Sequence, residues 1–425
     1  MKILVVGSGG REHALAWKAA QSPLADIVYV APGNAGTALE NKLENVNIDV
    51  TDIQGLLKFA KDQNIELTII GPEVPLSLGV VDAFNKENLA CLGPVQKAAQ
   101  LESSKAFSKD FMKKYGIPTA EYKNFTDIQK AKMYVKDKSM PIVIKASGLA
   151  AGKGVVIAQT LDEANATIED MLSGNKFGDA GCEIVIEEFL QGEEASFIVL
   201  VDGNNVVTMA SSQDHKARDD GDKGPNTGGM GAYSPAPIVT QDIHEKAMKQ
   251  VIQPVVDGMK KEGSPYTGFL YAGLMIDNNK NIKTLEYNCR FGDPETQPIM
   301  MRLESDLVEL CLAATKGELD KIEQPKWTNK TALGVVLAAK GYPDSYPKGE
   351  VISGLGAADN INTKIFHAGT KQVGNDTVTN GGRVLCAVGL GDTIEAAFQT
   401  AYELSNKITW KNQYKRTDIG KKAMK

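Results

Sequence analysis

Cysteine is scarce and scattered. The chain holds five, Cys91, Cys182, Cys289, Cys311 and Cys386, and none forms a CxxC pair. That spacing argues against a zinc site or a disulfide framework and fits a reducing compartment. Long apolar runs are missing as well. None approaches the roughly 20 residues that a membrane helix requires, and the opening run Ile3–Val6 is too short for a signal peptide. A cytoplasmic protein without a membrane partner is therefore expected. A basic excess is also absent, with 47 Lys and Arg against 53 Asp and Glu and a net charge of −6. This balance argues against a dedicated nucleic-acid binder. It leaves small anionic ligands open, because a few local cations and backbone amides suffice for those. Internal repeats and low-complexity segments are lacking too.

What is present is the composition of a folded protein, 42% hydrophobic and 24% charged. A chain of 425 residues exceeds one compact core, so roughly two to four domains are expected. The apolar runs Ile3–Val6, Ile27–Val30, Leu67–Ile70 and a short Cys91-Leu92 alternate with helical patterns and end in glycine- or proline-rich turns. Buried parallel strands read this way, which predicts an open parallel-sheet α/β domain over residues 1–102. Ligands bind such sheets beyond the carboxyl ends of the strands. Those ends carry Gly7-Ser8-Gly9-Gly10-Arg11-Glu12-His13, Pro32-Gly33-Asn34-Ala35-Gly36 and Gly71-Pro72-Glu73-Val74-Pro75-Leu76.

A helix is expected over 97–115, stopped by Gly116 and Pro118. A second α/β region follows, with strands at 142–144 and 183–187 and further strands at 194–201 and 205–209. Residues 213–235 read as a long irregular loop, which inside a compact region is usually functional or disordered. Strands recur at 269–276 and 282–289, and a helical stretch covers about 298–316. The last region has strands at 332–339 and 384–388. A helix follows them, where Asp392 and Glu395 have capping-box spacing.

Four constellations carry chemistry. In Glu286-Tyr287-Asn288-Cys289-Arg290-Phe291 polar and apolar residues alternate, so on a strand Glu286, Asn288 and Arg290 share one face. A carboxylate and an amide oxygen two residues apart are hard ligands suited to Mg²⁺. Arg290 adds a cation able to grip a carboxylate or phosphoryl oxygen. By alternation alone, a solvated strand face is the simpler reading. In the second, Lys145 leads into a glycine-rich loop with Gly148, Gly152, Lys153 and Gly154. Such glycines let backbone amides approach phosphates. The spacing is one residue short of a Walker A loop, and Gly154 stands where Ser or Thr would hold magnesium. A plain glycine-rich turn reads equally well. The third, Glu187-Glu188-Phe189-Leu190-Gln191-Gly192-Glu193-Glu194, is a strand exit that can offer groups to adenine and ribose, or simply a charged surface hairpin. The fourth, Gly7 to His13, starts like a dinucleotide fingerprint. Glu12 stands where its third glycine belongs, and Val30-Ala31-Pro32 supplies no acid for a ribose, so a nicotinamide enzyme is disfavoured. Helix-start amides with Arg11 still make a phosphate cradle.

Taken in order, these segments resemble the glycinamide ribonucleotide synthetase (phosphoribosylamine–glycine ligase) family of ATP-grasp enzymes of purine synthesis. The resemblance covers essentially the whole chain. It rests on Arg290-Phe291-Gly292-Asp293-Pro294-Glu295-Thr296-Gln297, Gly9-Gly10-Arg11-Glu12-His13-Ala14, Gly71 to Leu76 and Gln213-Asp214-His215-Lys216. It implies an α/β multidomain fold. The N-terminal open parallel sheet would span 1–102 and bind the phosphoribosylamine side. A central ATP-grasp domain would span 103–320, with a small lid subdomain at about 122–191, and a C-terminal α+β domain would span 326–425. The chain length matches the monofunctional form, so fused later-pathway domains are not expected. The implied reaction joins glycine to 5-phosphoribosylamine, with ATP giving ADP and phosphate through a glycyl phosphate. Lys105, Lys145, Gly148, Gly152, Lys153 and Gly154 would hold ATP phosphates. Glu187, Phe189 and Leu190 would line the adenine pocket, and Glu194 would take the ribose. Glu286 and Asn288 would bind Mg²⁺, with Mn²⁺ as the alternative ion. Gly9, Gly10, Arg11, Asn34, Gly36 and Glu73 would form the phosphoribosylamine side. Asp214 and Arg290 would approach glycine or its acyl group. The sequence is compatible with a monomer. The competing readings are another ATP-grasp carboxylate–amine ligase with different substrates, and a nucleotide-sensing protein without turnover.

Overall fold

The first sheet is fully parallel, in the order Leu43–Asn45, Ile27–Pro32, Lys2–Gly7, Leu67–Ile70 and Cys91–Leu92. The computed structural model describes residues 1–150, 154–174, 178–357 and 360–424. The central strand is apolar at every position because both its faces are covered. Ile3 and Val5 join one core, while Leu4 and Val6 join another on the opposite face. The edge strand Leu43–Asn45 has no apolar run, so its pattern does not announce it. The order in which strands are added reverses at Lys2–Gly7, and the segments 7–13 and 71–76 flank that switch point.

Glu12 explains the broken dinucleotide fingerprint. Its carboxylate accepts the Gly9 backbone N–H at 2.6 Å and closes the start of helix Gly10–Ala20. It also fills the space in front of Gly7 and Gly71, where an added Cβ would lie 2.2 Å from Glu12 atoms. A dinucleotide pyrophosphate would need the same amides.

A separate antiparallel sheet has the order Tyr122–Phe125, Ile184–Glu188, Ile142–Ala146 and Val155–Ala158. Helices Ile128–Lys136 and Leu161–Leu172 pack on it, and it has its own core of Phe125, Val135, Ile144, Ile168, Ile186 and their neighbours. The central sheet runs Val206–Thr208, Glu193–Asp202, Thr267–Ile276 and Ile282–Asn288, all antiparallel. The third large sheet contains Gln213–Asp214, Gly231–Ser234, Thr331–Ala339, Arg383–Gly391 and Thr363–His367, with Gln413–Tyr414 paired beside it. Helix Ile394–Lys407 covers that sheet.

Four expectations need correction. Residues 97–115 form two helices, Gln100–Ser103 and Lys105–Lys114, because Ser104 turns extended. Its hydroxyl caps the second helix by accepting the Phe107 N–H at 3.2 Å. The helical stretch 298–316 is likewise divided into Thr296–Arg302 and Leu307–Lys316, the second capped by Asp306. The cap of the last helix is Thr393, which accepts from Ala396, and not Asp392. Residues 213–235 are not one irregular loop. They form short strands at Gln213–Asp214, Ala217–Asp219, Lys223–Asn226 and Gly231–Ser234. Gly231–Ser234 pairs with Ala332–Val335, a partner too distant in sequence for any local pattern to show.

Two histidines are locked neutral in these layers. His215 accepts the Gly420 N–H through Nε2, and its Nδ1 faces the Gly231 carbonyl. Burial first, and Arg416 second, push its pKa down to about 4. Burial first, and His13 second, push His367 down to about 3. A folded-state pKa below the ordinary value means stability is complete above about pH 6.5 and falls as pH drops towards those values. The expected slope is about 1.4 kcal/mol per pH unit per histidine. Melting between about pH 7 and pH 5 checks this. A His215→Asn variant should show a shallower acid slope, and an unchanged slope would remove His215 from the account.

Candidate active site

The sheets meet around a cavity of about 620 Å³, within the usual size for a small-molecule site. The small sheet contributes Lys145, Gly154, Glu187 and Phe189 to its wall. The central sheet contributes Glu194, Tyr271, Glu286, Asn288 and Arg290. Arg11 and Glu73 come from helices that follow strands of the N-terminal sheet, Arg383 from a strand of the C-terminal sheet and Tyr342 from the turn after another of its strands.

Glu286 reaches this cavity because its strand carries a bulge. Gly273 pairs with Glu286 while Leu274 pairs with Thr284, so Leu285 is the extra residue. Before the bulge Ile282 and Thr284 are buried; after it Tyr287 and Cys289 are. The bulge therefore shifts the inward side from even to odd positions. Without it Glu286 would point into the core. Its side chain stays one-third open, towards the cavity. Burial raises its pKa most, yet Lys216, Lys145, Lys105 and Arg290 together bring it down to about 2. An ionised carboxylate is thus held open with the Asn288 amide on the same face. No group of three or more His, Cys, Asp or Glu among the described residues could hold a metal alone. Two hard oxygens fit a magnesium ion that takes its remaining ligands from water and phosphates.

Lys105, Lys145 and Lys216 line the same cavity. The break at Ser104 starts a new helix at Lys105, whose Nζ donates to the Gly148 carbonyl at 3.3 Å. Burial lowers the Lys105 pKa, opposed chiefly by Glu286. Glu187 is buried between Lys109 at 2.9 Å and Lys145 at 3.0 Å. Burial also pushes Lys109 down to about 8, with Glu187 opposing.

Arg290 is the hub of the other wall. Its Nη2 pairs with Glu102 at 2.8 Å and donates to Asn288 Oδ1 at 3.2 Å, and its Nε faces Glu73 at 3.4 Å. Burial raises Glu102 to about 7, with Arg290 the strongest opposing influence. Burial is also the largest influence on Glu73, but Arg290 and Arg11 outweigh it and hold that carboxylate low. Arg11 binds Glu12 at 2.5 Å and donates to the Phe291 carbonyl at 3.3 Å.

Between the walls lie two more acids. Asp214 is pushed well up by burial and by Glu295, against Lys216. Burial also raises Glu295, although Ser196 donates to it at 2.9 Å. Lys216 is already paired with Glu194 and Glu286, so the two acids lack a full counter-charge. The pair favours an incoming cation.

The sequence model described as phosphoribosylglycinamide synthetase, N domain, matches residues 1–102. The ATP-grasp (A) domain and C domain of the same synthetase match 103–296 and 332–422. The chain belongs to the phosphoribosylglycinamide synthetase family. It is 63% identical over 424 residues to a phosphoribosylamine–glycine ligase of Vibrio cholerae, covering 100% of this chain and 99% of that one. A crystal structure of phosphoribosylamine–glycine ligase from Thermotoga maritima is 35% identical with a TM-score of 0.85, covering 99% of this chain and 100% of that one. A biotin carboxylase from Campylobacter jejuni shares the fold, with a TM-score of 0.76 at 15% identity over 100% of this chain and 94% of that one. The fold is accordingly multidomain α/β, with an N-terminal parallel sheet, a central ATP-grasp domain and a C-terminal domain built on an antiparallel sheet. Among the described residues no helix is long and apolar enough to cross a membrane.

In this member of the phosphoribosylglycinamide synthetase family, most of the residues singled out from sequence meet at the cavity. Arg11, Glu73, Lys105, Lys145, Gly154, Glu187, Phe189, Leu190, Glu194, Asp214, Glu286, Asn288 and Arg290 all line it. Gly152 and Lys153 lie outside the described residues. Gly9, Gly10, Asn34, Gly36 and Gly148 are not among the residues that line it. Packing explains several of them. A Cβ on Gly10 would lie 2.5 Å from Gln297 Nε2, one on Gly36 2.4 Å from the His367 ring, and one on Gly148 2.7 Å from Ala180. Asn34 spends its amide on its own loop and on the C-terminal sheet, accepting from Gly36 and donating to the Ser8 and His367 carbonyls. No sequence pattern points to Glu102, Tyr342 or Arg383. Glu295 and Lys216 lie inside the quoted motifs, but nothing local shows that they meet.

Proposed function

We propose that the chain joins glycine to 5-phosphoribosylamine in the purine pathway of the cytoplasm. ATP would give ADP and phosphate. The observation that carries this reading is an ionised carboxylate, Glu286, ringed by Lys216, Lys145, Lys105 and Arg290 in one cavity. The opposite wall is the switch point of a parallel sheet bearing Arg11 and Glu73. Family membership names the substrates.

Lys105, Lys145, Gly148, Gly154 and the adjoining Gly152 and Lys153 would hold the ATP phosphates. Glu187, Phe189 and Leu190 would line the adenine pocket, and Glu194 would take the ribose. Glu286 and Asn288 would hold Mg²⁺, which supplies charge neutralisation for phosphoryl transfer; Mn²⁺ suits the same oxygens. Gly9, Gly10, Asn34 and Gly36 would shape the sugar side, where Arg11 and Glu73 reach in. The ammonium of glycine would enter between Asp214 and Glu295, leaving its carboxylate directed to Arg290. That carboxylate would attack the γ-phosphorus, and ADP would leave. The sugar amine would then attack the glycyl carbonyl and expel phosphate. Positioning and fixed positive charge do most of this work. An acyl phosphate hydrolyses readily, so water must be excluded. The sheet at about 122–191, with its own core, is the natural lid on a domain spanning 103–320, between domains at 1–102 and 326–425. A monomer is the proposed working unit.

Release of ADP and phosphate should require both glycine and phosphoribosylamine. Turnover without either one, or AMP with pyrophosphate as products, would sink the reading. Asp214→Asn should raise the KM for glycine about tenfold or more, since a buried charged hydrogen bond is worth about 1.5–3 kcal/mol. The KM for ATP should stay unchanged. An unchanged glycine KM would take Asp214 out of the glycine site.

A further inference from the structure

The C-terminal sheet enters the cavity through Arg383, at the start of strand Arg383–Gly391. Its Nη1 donates to the carbonyls of Gly228 and Asp293, each at 2.7 Å, and its Nη2 donates to Asp293 Oδ2 at 2.9 Å. Tyr342, from the same domain, accepts the Gly228 N–H on its hydroxyl at 2.9 Å. Both polar groups of one glycine are therefore held by the C-terminal domain. Space is tight as well. A Cβ on Gly228 would lie 2.9 Å from the Arg383 guanidinium carbon. Gly229, at φ +113°, would put a Cβ 2.4 Å from Pro294. The segment 227–229 is thus pressed between Arg383 and the Asp293-Pro294 turn.

Each side of this clamp leads to reacting groups. Thr227 donates to the Lys216 carbonyl through its N–H at 2.7 Å and its hydroxyl at 2.9 Å. Met230 donates to the His215 carbonyl at 2.8 Å. The segment therefore backs the stretch from strand Gln213–Asp214 to strand Ala217–Asp219, which holds Asp214 and Lys216. On the other side, Asp293 closes the turn after Arg290 and also accepts from Gln297 at 2.8 Å.

We infer that Arg383 is a positioning residue for the ligation. It fixes the segment behind Asp214 and Lys216 against the turn behind Arg290, so the C-terminal domain sets how the glycine side faces the phosphoryl side. This rests on the ligase reading above. A planar guanidinium makes the three bonds at once, and a lysine ammonium at the same place does not.

The test uses full-length protein with ATP, Mg²⁺, glycine and phosphoribosylamine, and starts from wild type. If wild type shows no ADP release dependent on both substrates, the ligase reading fails and the inference falls with it. Given that activity, Arg383→Ala should lower kcat about 100-fold, the effect of a small misplacement in an organised site. It should raise the KM for glycine and leave the KM for ATP unchanged, because the bonds of Arg383 among the described residues go to Gly228 and Asp293. Guanidinium ion should restore part of the lost kcat in Arg383→Ala and none in Glu286→Ala. Arg383→Lys should remain impaired, and Tyr342→Phe should show a smaller loss of the same kind. Wild-type kcat and glycine KM in Arg383→Ala would overturn the inference. So would a rise in every KM together without guanidinium rescue, which is general damage. Should Arg383→Ala fail to fold, wild-type kinetics in both Arg383→Lys and Tyr342→Phe would overturn it equally.

Discussion

Arg290→Met should lose turnover by about 10²–10³-fold and destabilise the protein by about 3–5 kcal/mol. The two losses share a cause. Arg290 is the ion-pair partner of Glu102 at 2.8 Å and faces Glu73 at 3.4 Å, and it points Asn288 towards the cavity. Removing it leaves the buried Glu102 without its cation and Glu73 with Arg11 alone, which costs more than the pair itself contributes. Glu102 partly escapes by taking a proton, since burial already holds it near 7 with Arg290 opposing. A carboxyl whose folded pKa lies above its unfolded value destabilises the fold as pH rises past the unfolded value. The deficit of Arg290→Met against wild type should therefore be larger at about pH 8 than at about pH 5.5. Arg290→Lys should recover stability better than turnover, because an ammonium cannot serve Glu73, Glu102 and Asn288 together. Melting curves at both pH values, with steady-state rates, check this. A deficit that shrinks as pH rises would contradict the assignment of Glu102.

Glu286→Ala should show the complementary pattern, with turnover down about 10²–10³-fold and the fold nearly intact. Each cation around Glu286 keeps another partner. Lys216 keeps Glu194, Lys145 keeps Glu187, Arg290 keeps Glu102, and Lys105 keeps the Gly148 carbonyl. What disappears is the open carboxylate beside Asn288. The Mg²⁺ concentration needed for half-maximal rate should rise. Normal turnover of Glu286→Ala at limiting Mg²⁺ would remove this residue from the metal site.

Much of this site is legible in one dimension because its strands have period two. Tyr287, Cys289 and Phe291 bury as their spacing predicts, and Asn288 and Arg290 face the cavity. The bulge at Leu285 is not legible, because it arises from pairing with Gly273 and Leu274 on the neighbouring strand. It decides the side on which Glu286 lies. Ser104 is similar. Its sequence continues a helical pattern, and the break depends on docking against the 146–148 turn, where the Lys105 N–H donates to the Ser147 carbonyl at 2.8 Å. The dinucleotide reading fails at Glu12 for a reason a sequence does show, a carboxylate where a glycine is needed. Arg383, Tyr342 and Glu102 carry no local pattern. They matter because folding brings them against Gly228, Asp293 and Arg290 from distant parts of the chain.

The acyl phosphate is the centre of the mechanism, and isotope transfer tests it most directly. Glycine labelled with heavy oxygen in its carboxylate should be turned over with ATP, Mg²⁺ and phosphoribosylamine. One heavy oxygen should appear in each inorganic phosphate, carried there when the carboxylate takes the γ-phosphoryl group and the amine later breaks the acyl bond. Unlabelled phosphate, or label in AMP, would contradict the account.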